Sequence, residues 1–269
     1  MKFELPEKGP VIIVKARVNS EGPFEFLVDT GSSVTVITKE TVEALGFQKK
    51  LSDLKKGSMS CCSSTLINVG SIQVDDVEAK DIPVVLGNLS TISEEIGAHI
   101  DGIIGATLMK NYKVTIDYPK QEIFFEKLSK GEESRRVPFI VVDIMVNCKG
   151  PFNFLVDTGA SITTITKHIS EALGLYEKAG GQRRALSGSF AGVVMTLAKA
   201  ESIQVGDAKA NDIDVGLHDL TPLSNVMGTP VDGVIGYNFM KDYRVVINYP
   251  QQEVSFERVS RNNSEVTNT

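Results

Sequence analysis

The 269-residue sequence lacks the features that mark membrane, secreted and nucleic-acid-binding proteins. No run of apolar residues approaches the ~18–20 that a membrane-spanning helix needs. Charges in the first ten residues, MKFELPEKGP, interrupt the apolar stretch that a signal peptide would require. The net charge is −6 and there is no long Lys/Arg block, whereas nucleic-acid surfaces are basic. We therefore expect a soluble protein that is not secreted and has no nucleic-acid or membrane partner.

Cysteine and histidine are also scarce, with three of each. Three cysteines, of which Cys61 and Cys62 are adjacent, do not make a disulfide framework. No Cys-x-x-Cys or His-Glu-x-x-His pattern is present, so the usual zinc sites are excluded. Gly-x-Ser-x-Gly and the phosphate-binding loop are absent as well. These absences favour a reducing, cytoplasmic location and predict no metal and no cofactor.

An internal repeat is the main positive feature of the sequence. GPFEFLVDTGS, which begins at Gly22, matches GPFNFLVDTGA, which begins at Gly150, at 9 of 11 positions. DGIIGATLMKNYKVTIDYP, from Asp101, matches DGVIGYNFMKDYRVVINYP, from Asp232, at 11 of 19 positions. The first pair of blocks is offset by 128 residues and the second pair by 131. Two copies of this length indicate a duplicated domain rather than a solenoid.

Each copy is predicted to be mainly β. Short runs rich in β-branched residues alternate with turn signals, and brief helices are predicted after Thr38, Gly105, Thr166 and Gly236. The stretch LSKGEESRR is polar, as is the end of the chain, and such segments rarely pack into a core. The predicted domains are an N-terminal half (1–127), a linker (128–136), a C-terminal half (137–259) and a flexible tail (260–269).

Both copies place Asp-Thr-Gly directly after an apolar strand, at Asp29 and at Asp157. A single tripeptide of this kind is weak evidence, since it also fits an ordinary turn. Here a charge follows a buried-looking strand twice, which is costly unless each carboxylate has donors or a partner. Each copy also has a later apolar-apolar-Gly segment, ending at Gly105 and at Gly236. This pairing favours one shared site.

These motifs resemble those of the aspartic peptidases, specifically the retropepsin-like branch. The resemblance implies an all-β (mainly β) acid-protease barrel fold, with two homologous halves and short helices. Fusion of two compact units in one chain further implies a monomeric, single-chain pseudodimer. Asp29 and Asp157 would then be catalytic and share one proton, because two adjacent buried carboxylates cannot both ionise easily. The ionised member would activate a water molecule and the protonated member would assist the carbonyl oxygen.

The resemblance also implies supporting roles for the residues that flank the two aspartates. Thr30 and Thr158 would lock the two loops together, and Gly31 and Gly159 would let the backbone approach the carboxylates. Ser32 and Ala160 differ between the copies. A hydroxyl donated by Ser32 would favour the charged form of Asp29, so we expect Asp29 to be the more acidic aspartate and Asp157 to hold the proton.

Two glycine-containing hairpins are expected to cover the cleft. The hairpin residues predicted to bind substrate are Gly57, Ser58 and Met59 in the first copy, and Gly188, Ser189 and Phe190 in the second. The predicted function is that of an aspartic endopeptidase acting on extended polypeptide substrates, which would bind partly as an added strand. Two alternatives stay open: a non-catalytic peptide-binding or protein-interaction module, and a hydrolase of non-peptide amides.

Overall fold

The structure is a computed structural model, and it describes residues 1–46, 65–127, 139–175, 177–187 and 190–259. The predicted linker 128–136 and the predicted tail 260–269 lie outside these residues. Across the described ranges, no helix combines the length and the apolar character needed to cross a bilayer. The mainly β class and the two homologous halves predicted from the sequence are confirmed.

The N-terminal half is a closed six-stranded barrel with strand order β1-β2-β6-β3-β5-β4. Alternating burial along β1 places one row of side chains in the core. The parallel pairing of β2 with β6 and of β3 with β5 brings distant segments together at one end of the barrel. The strands are β1 (Ile13–Val18), β2 (Glu21–Val28), β3 (Thr35–Thr38), β4 (Leu66–Val74), β5 (Val77–Gly87) and β6 (Gly102–Ile104), and the helices are α1 (Lys39–Ala44), α2 (Ser90–Ile96) and α3 (Ala106–Met109).

The C-terminal half repeats this topology. Its ring runs β9-β10-β15-β11-β14-β13 and is closed by pairing of β13 with β9, while β12 pairs with β13 as an extra strand. The strands are β9 (Val141–Val146), β10 (Lys149–Val156), β11 (Thr164–Thr166), β12 (Glu177–Ser187), β13 (Phe190–Val205), β14 (Ala208–His218) and β15 (Gly233–Ile235), and the helices are α4 (Lys167–Leu173), α5 (Thr221–Met227) and α6 (Tyr237–Met240).

A four-stranded antiparallel sheet joins the halves. Each half contributes one hairpin: β7 (Tyr112–Asp117) with β8 (Glu122–Lys127), and β16 (Tyr243–Asn248) with β17 (Glu253–Arg258). The order β17-β16-β7-β8 places β7 and β16 at the centre, where they pair across the pseudo-twofold axis. Both central strands alternate buried and half-buried residues, so one face of the sheet extends the core. The halves therefore share backbone hydrogen bonds and one apolar core.

The two ends of this β7–β16 contact differ in charge. On one side, Arg244 donates to the Asp117 carboxylate through Nη2 at 2.9 Å and Nε at 3.2 Å, and the Asp117 side chain is only 1% exposed. On the other side, the register pairs Lys113 with Asn248, which carries no charge. The two copies have therefore diverged: one end of the contact has an ion pair between β7 and β16, and the other end has none between these two strands.

We expect Arg244→Met to lower the free energy of unfolding by about 1–3 kcal/mol, because it leaves the buried Asp117 carboxylate without the guanidinium group that donates both hydrogen bonds to its Oδ2 atom. Partial exposure of Arg244 and the nearby ammonium group of Lys120 at 3.8 Å keep the loss below that of a fully buried pair. Urea denaturation measures the loss. Lys113→Met is the matched control, since both side chains are 39% exposed. Equal losses of stability in the two variants would contradict a stabilising role for the Asp117–Arg244 ion pair.

Candidate active site

The two Asp-Thr-Gly loops meet between the barrels. Each aspartate follows the last residue of a barrel strand, and its backbone N–H donates to the neighbouring parallel strand: Asp29 to Ile104 and Asp157 to Ile235, both at 3.0 Å. The short loops thus begin from fixed barrel positions. The aspartates are buried, with Asp29 5% exposed and Asp157 0% exposed. The structure brings together the two residues that the sequence predicted to form one site.

Thr30 and Thr158 interlock the loops through four hydrogen bonds. The Thr30 hydroxyl donates to the Val156 carbonyl at 2.8 Å, and the Thr158 hydroxyl donates to the Val28 carbonyl at 2.7 Å. Each hydroxyl also accepts the backbone N–H of the other threonine, at 3.1 and 3.0 Å. Buried bonds of this kind contribute about 0.5–1.5 kcal/mol each and fix geometry. The interlocking predicted from the resemblance is found here.

Gly31 and Gly159 sit against the opposite carboxyl groups. A Cβ at Gly31 would lie 2.6 Å from both Cγ and Oδ2 of Asp157, and a Cβ at Gly159 would lie 2.6 Å from Cγ of Asp29. These distances are well inside van der Waals contact. Glycine is needed at both positions because only hydrogen fits between loop and carboxyl group.

Each carboxyl group accepts a backbone N–H from its own loop. Oδ1 of Asp29 accepts from Gly31 and Oδ1 of Asp157 accepts from Gly159, both at 2.8 Å. Oδ2 of Asp157 is buried and has no hydrogen-bond partner among the described residues. The arrangement leaves that oxygen with unused hydrogen-bonding capacity.

The electrostatics of the two carboxyl groups differ. Burial raises the pKa of Asp29, while the interaction with Asp157 and the amides of Gly31 and Ser32 oppose that rise. Burial, followed by the adjacent charge of Asp29, raises the pKa of Asp157 well above its usual range. Titration belongs to the pair of carboxyl groups rather than to either one alone. These environments agree in direction with the expectation that Asp29 is the more acidic of the two aspartates.

The sequence argument attributed the greater acidity of Asp29 to a hydrogen bond from the Ser32 hydroxyl, and this explanation is wrong. The Ser32 hydroxyl donates to the Val34 carbonyl at 2.8 Å, so its single proton is not available to Asp29. Ser32 assists Asp29 through its backbone amide instead. Ala160, its counterpart, is buried and packs in an apolar cluster with residues of α5.

Thr35 and Thr163 support the loops and were not singled out by the sequence argument. The Thr35 hydroxyl accepts the Gly105 amide at 3.3 Å, and the Thr163 hydroxyl accepts the Gly236 amide at 3.2 Å. These bonds tie each aspartate loop to the apolar-apolar-Gly segment of its own half. The signal was present, since Thr35 and Thr163 are separated by the same 128 residues as the aspartates.

Two buried tyrosines lie near the aspartate pair. The Tyr118 hydroxyl donates to Sδ of Met240 at 4.0 Å, and the Tyr249 hydroxyl donates to Sδ of Met109 at 3.8 Å, so each crosses between the halves. Burial, reinforced by the charge of Asp157, raises the pKa of Tyr118; burial and the charges of both aspartates raise that of Tyr249. Both phenols therefore stay neutral and add to an apolar surrounding.

Only part of the predicted hairpin region can be placed. Gly57, Ser58 and Met59 lie outside the described residues, as do Gly188 and Ser189. Phe190 is the first residue of β13, and it pairs with Ser187 at the end of β12. A hairpin therefore occupies the position predicted in the second copy.

The raised pKa of Asp157 predicts a stability effect with a defined sign. The folded state binds this proton more tightly than the unfolded state, whose Asp pKa is about 3.9, so ionisation destabilises the fold progressively as pH rises above that value. We expect Asp157→Asn to raise the Tm at pH 7 relative to the unsubstituted protein. The pH-dependent part of this gain should disappear below about pH 4.

Thermal unfolding from pH 3 to 8 tests this expectation, with the exposed Asp143→Asn as the control. A Tm difference that is the same at all pH values would contradict the assigned environment of Asp157.

A family model described as Aspartyl protease matches residues 14–108 and, a second time, residues 142–239. Among solved structures, a retropepsin-like aspartic protease from Rickettsia conorii is similar at 25% identity, over 44% of this chain and 83% of that chain, with a TM-score of 0.35. No curated protein sequence matches the chain.

Proposed function

Because the chain belongs to the aspartyl protease family through both of its halves, we propose that it is an aspartic endopeptidase with one active site built from Asp29 and Asp157. The observation that carries the proposal is the buried pair of carboxyl groups, each set against the glycine of the opposite loop. Two aspartates in so small an apolar space favour holding one proton between them.

In the proposed mechanism, ionised Asp29 accepts a proton from a water molecule bound between the carboxyl groups. The resulting hydroxide attacks the peptide carbonyl carbon, and the C=O π electrons move onto oxygen. Protonated Asp157 donates a hydrogen bond to that developing oxyanion, which is worth more in a dry site than in water. Collapse of the tetrahedral intermediate breaks the C–N bond, and the carboxyl groups supply the proton that the leaving amine needs. No step calls for a cofactor.

The asymmetric environments support this division of roles. Asp29 has the less strongly raised pKa of the two and amide donors from Gly31 and Ser32, which favour its charged form. Asp157 is fully buried and its Oδ2 atom has no partner among the described residues. A protonated carboxyl group directed at a substrate oxygen would satisfy it.

We further propose that the enzyme acts as a monomer on extended polypeptide segments, without nucleic acid. A single chain already supplies both aspartates, and the β7–β16 pairing holds the two halves together. The scarcity of cysteine supports a cytoplasmic location.

Cleavage of a mixed peptide library between pH 3 and 8, followed by mass spectrometry, tests the proposal. We expect cuts within peptides, rather than at their ends, over the pH range in which the pair holds one proton. The doubly substituted Asp29→Asn/Asp157→Asn protein, prepared in parallel, identifies cuts made by contaminating peptidases. Folded protein that binds library peptides without cutting them at any pH would instead favour the binding-module alternative.

A further inference from the structure

Residues 1–4 precede the first barrel strand and form an extended segment beside the sheet that joins the halves. The Phe3 N–H donates to the carbonyl of Gln121, immediately before β8, at 3.0 Å. Glu4 in turn exchanges two backbone hydrogen bonds with Ile13 of β1, at 2.9 and 3.0 Å. The segment is therefore held both to the joining sheet and to the N-terminal barrel.

Phe3 is the residue that this segment contributes to the core. It is 4% exposed, whereas its neighbours Lys2 and Glu4 are exposed, as alternation along an extended segment requires. The Phe3 ring meets the Tyr118 ring edge to face, with the centroids 6.0 Å apart and the planes at 78°. Such pairs add stabilisation beyond the area that they bury. A segment outside both barrels thus supplies the ring that packs on Tyr118.

Tyr118 continues this packing into the C-terminal half. Its ring contacts the ring of Tyr237, the first residue of α6, with the centroids 5.7 Å apart and the planes at 65°. The Tyr237 N–H donates to the Ala160 carbonyl at 2.8 Å, and the Ala160 N–H donates to the Asp157 carbonyl at 3.3 Å. Three rings and two backbone hydrogen bonds therefore connect Phe3 to the Asp157 loop.

The aromatic part of this connection is not repeated in the other copy. At the 131-residue offset, Tyr237 corresponds to Ala106, which has no ring to offer Tyr249, the counterpart of Tyr118. The backbone part is preserved, since the Ala106 N–H donates to the Ser32 carbonyl at 2.9 Å. Ring packing of this kind therefore distinguishes the loop of one aspartate from that of the other.

The titratable groups around these contacts depend on the exclusion of water. Those that act on one another are Asp29, Asp157, Tyr118, Tyr237, Tyr249 and Asp242. Burial is the largest cause of the raised pKa of both aspartates and of the three tyrosines. Looser packing that admits water would therefore bring the pKa of Asp157 down toward its usual range.

We propose that Phe3 is a positioning residue for Asp157, which acts through Tyr118 and Tyr237 on the loop that carries this aspartate. Phe3 fills the space behind the Tyr118 ring, and so keeps that ring against Tyr237 and keeps the surroundings of the carboxyl pair dry. The catalytic consequence rests on the proposed function: Asp157 holds the shared proton firmly only while this packing is intact.

A double-mutant cycle in the full chain tests the link without requiring activity. The gain in Tm from Asp157→Asn at pH 7 is measured in the parent protein and in the Phe3→Ala and Phe3→Leu backgrounds. We expect the gain to fall to about half in Phe3→Ala and to fall less in Phe3→Leu, because ionisation of a more hydrated carboxyl group destabilises the fold less. Phe3→Leu keeps most of the apolar volume and decides the question if Phe3→Ala does not fold.

Phe125→Ala is the matched control. The Phe125 ring packs edge to face on Tyr112 of the same sheet, with the centroids 6.3 Å apart, and burial alone raises the pKa of Tyr112. Losing this ring should lower the Tm of the protein but leave the gain from Asp157→Asn unchanged. An unchanged gain in both Phe3 backgrounds, or an equal reduction in the Phe125→Ala background, would overturn the proposal.

Kinetics with a cleaved library peptide test the catalytic consequence. We expect Phe3→Ala to lower kcat about tenfold with little change in KM. The alkaline limb of the kcat/KM profile should move about half a unit to lower pH, because Asp157 loses its proton earlier when its pKa falls. Phe125→Ala should leave this limb in place. A reduced Tm gain in a Phe3 variant, together with a parent protein that cuts no peptide, would support the packing link and reject the proposed function.

Discussion

Replacing either Asp29 or Asp157 by asparagine is expected to lower kcat/KM for peptide cleavage by about 10³-fold or more, with the fold intact. Proton transfer by a positioned group typically contributes 10²–10⁴-fold, and here one dyad supplies both the base and the acid. Asn at position 29 cannot accept the proton of water. Asn at position 157 cannot transfer a proton toward the leaving amine, although it is close in shape to a protonated aspartic acid.

The double substitution should be little worse than either single one, because residues that act as a unit give strongly non-additive losses. Initial rates with a cleaved library peptide measure all three variants, and circular dichroism verifies the fold. Asp143→Asn, at an exposed position on β9, serves as the control for the chemical change. Residual activity above about one tenth in either single variant would show that the reaction does not depend on a shared dyad.

Asp157→Asn should raise the Tm at neutral pH while removing activity, since burial and the charge of Asp29 make the ionised carboxyl group unfavourable in the folded protein. A site that destabilises its own fold is typical of function and unusual for a structural role. Loss of activity with loss of stability would point instead to simple disruption of the loop.

The duplication explains why so much of the site could be predicted from the sequence. Every local signal occurs twice, so weak motifs such as Asp-Thr-Gly support each other at the same spacing as their neighbours. The family assignment, the two-half architecture and the meeting of Asp29 with Asp157 follow from that repetition. The glycine two residues after each aspartate likewise indicated a close approach, which the structure shows toward the aspartate of the opposite loop.

Other features depend on contacts that no local pattern contains. The direction of the Ser32 hydroxyl is decided by a carbonyl two residues away, and the backbone rather than the side chain assists Asp29. Helix α2 and helix α5 were missed because each begins after a leucine, Leu89 and Leu220, which gives no N-cap signal, although each ends at a glycine with positive φ, Gly97 and Gly228. Their stability comes from packing on small apolar clusters, which local propensity does not reveal.

The individual contacts between the halves were likewise beyond sequence reasoning. The repeated Tyr-Pro segments are visible in both copies, yet nothing local states that Tyr118 would contact Met240 and Tyr249 would contact Met109 across the boundary. The same holds for the divergence of the Asp117–Arg244 and Lys113–Asn248 contacts, which depends on strand register. Pseudo-symmetry predicts that the contacts of the two copies are equivalent, so the places where they differ become visible only in the structure.

Gly159→Ala is expected to reduce kcat/KM by about 10²-fold or more, because the new methyl group would lie 2.6 Å from Cγ and 2.8 Å from both oxygens of Asp29. The backbone around Gly159 is held by the Thr30–Thr158 interlock, so the Asp29 carboxyl group must move instead. Displacement by about 1 Å removes it from the position needed to share a proton and a water molecule with Asp157. Overpacking should also cost about 1–3 kcal/mol of stability.

Gly174→Ala separates the two effects. This glycine caps α4 with a φ of +64°, and an added Cβ would contact nothing within 4 Å, so the substitution should cost about 1 kcal/mol of stability without changing kcat. Gly31→Ala, which approaches Asp157 at 2.6 Å, should behave like Gly159→Ala because the two loops are related by pseudo-symmetry. Urea denaturation and initial rates measured on all three variants provide the comparison. If Gly159→Ala lost no more activity than Gly174→Ala at matched stability, the close approach of loop and carboxyl group would have no role in catalysis, and the proposed dyad geometry would have to be abandoned.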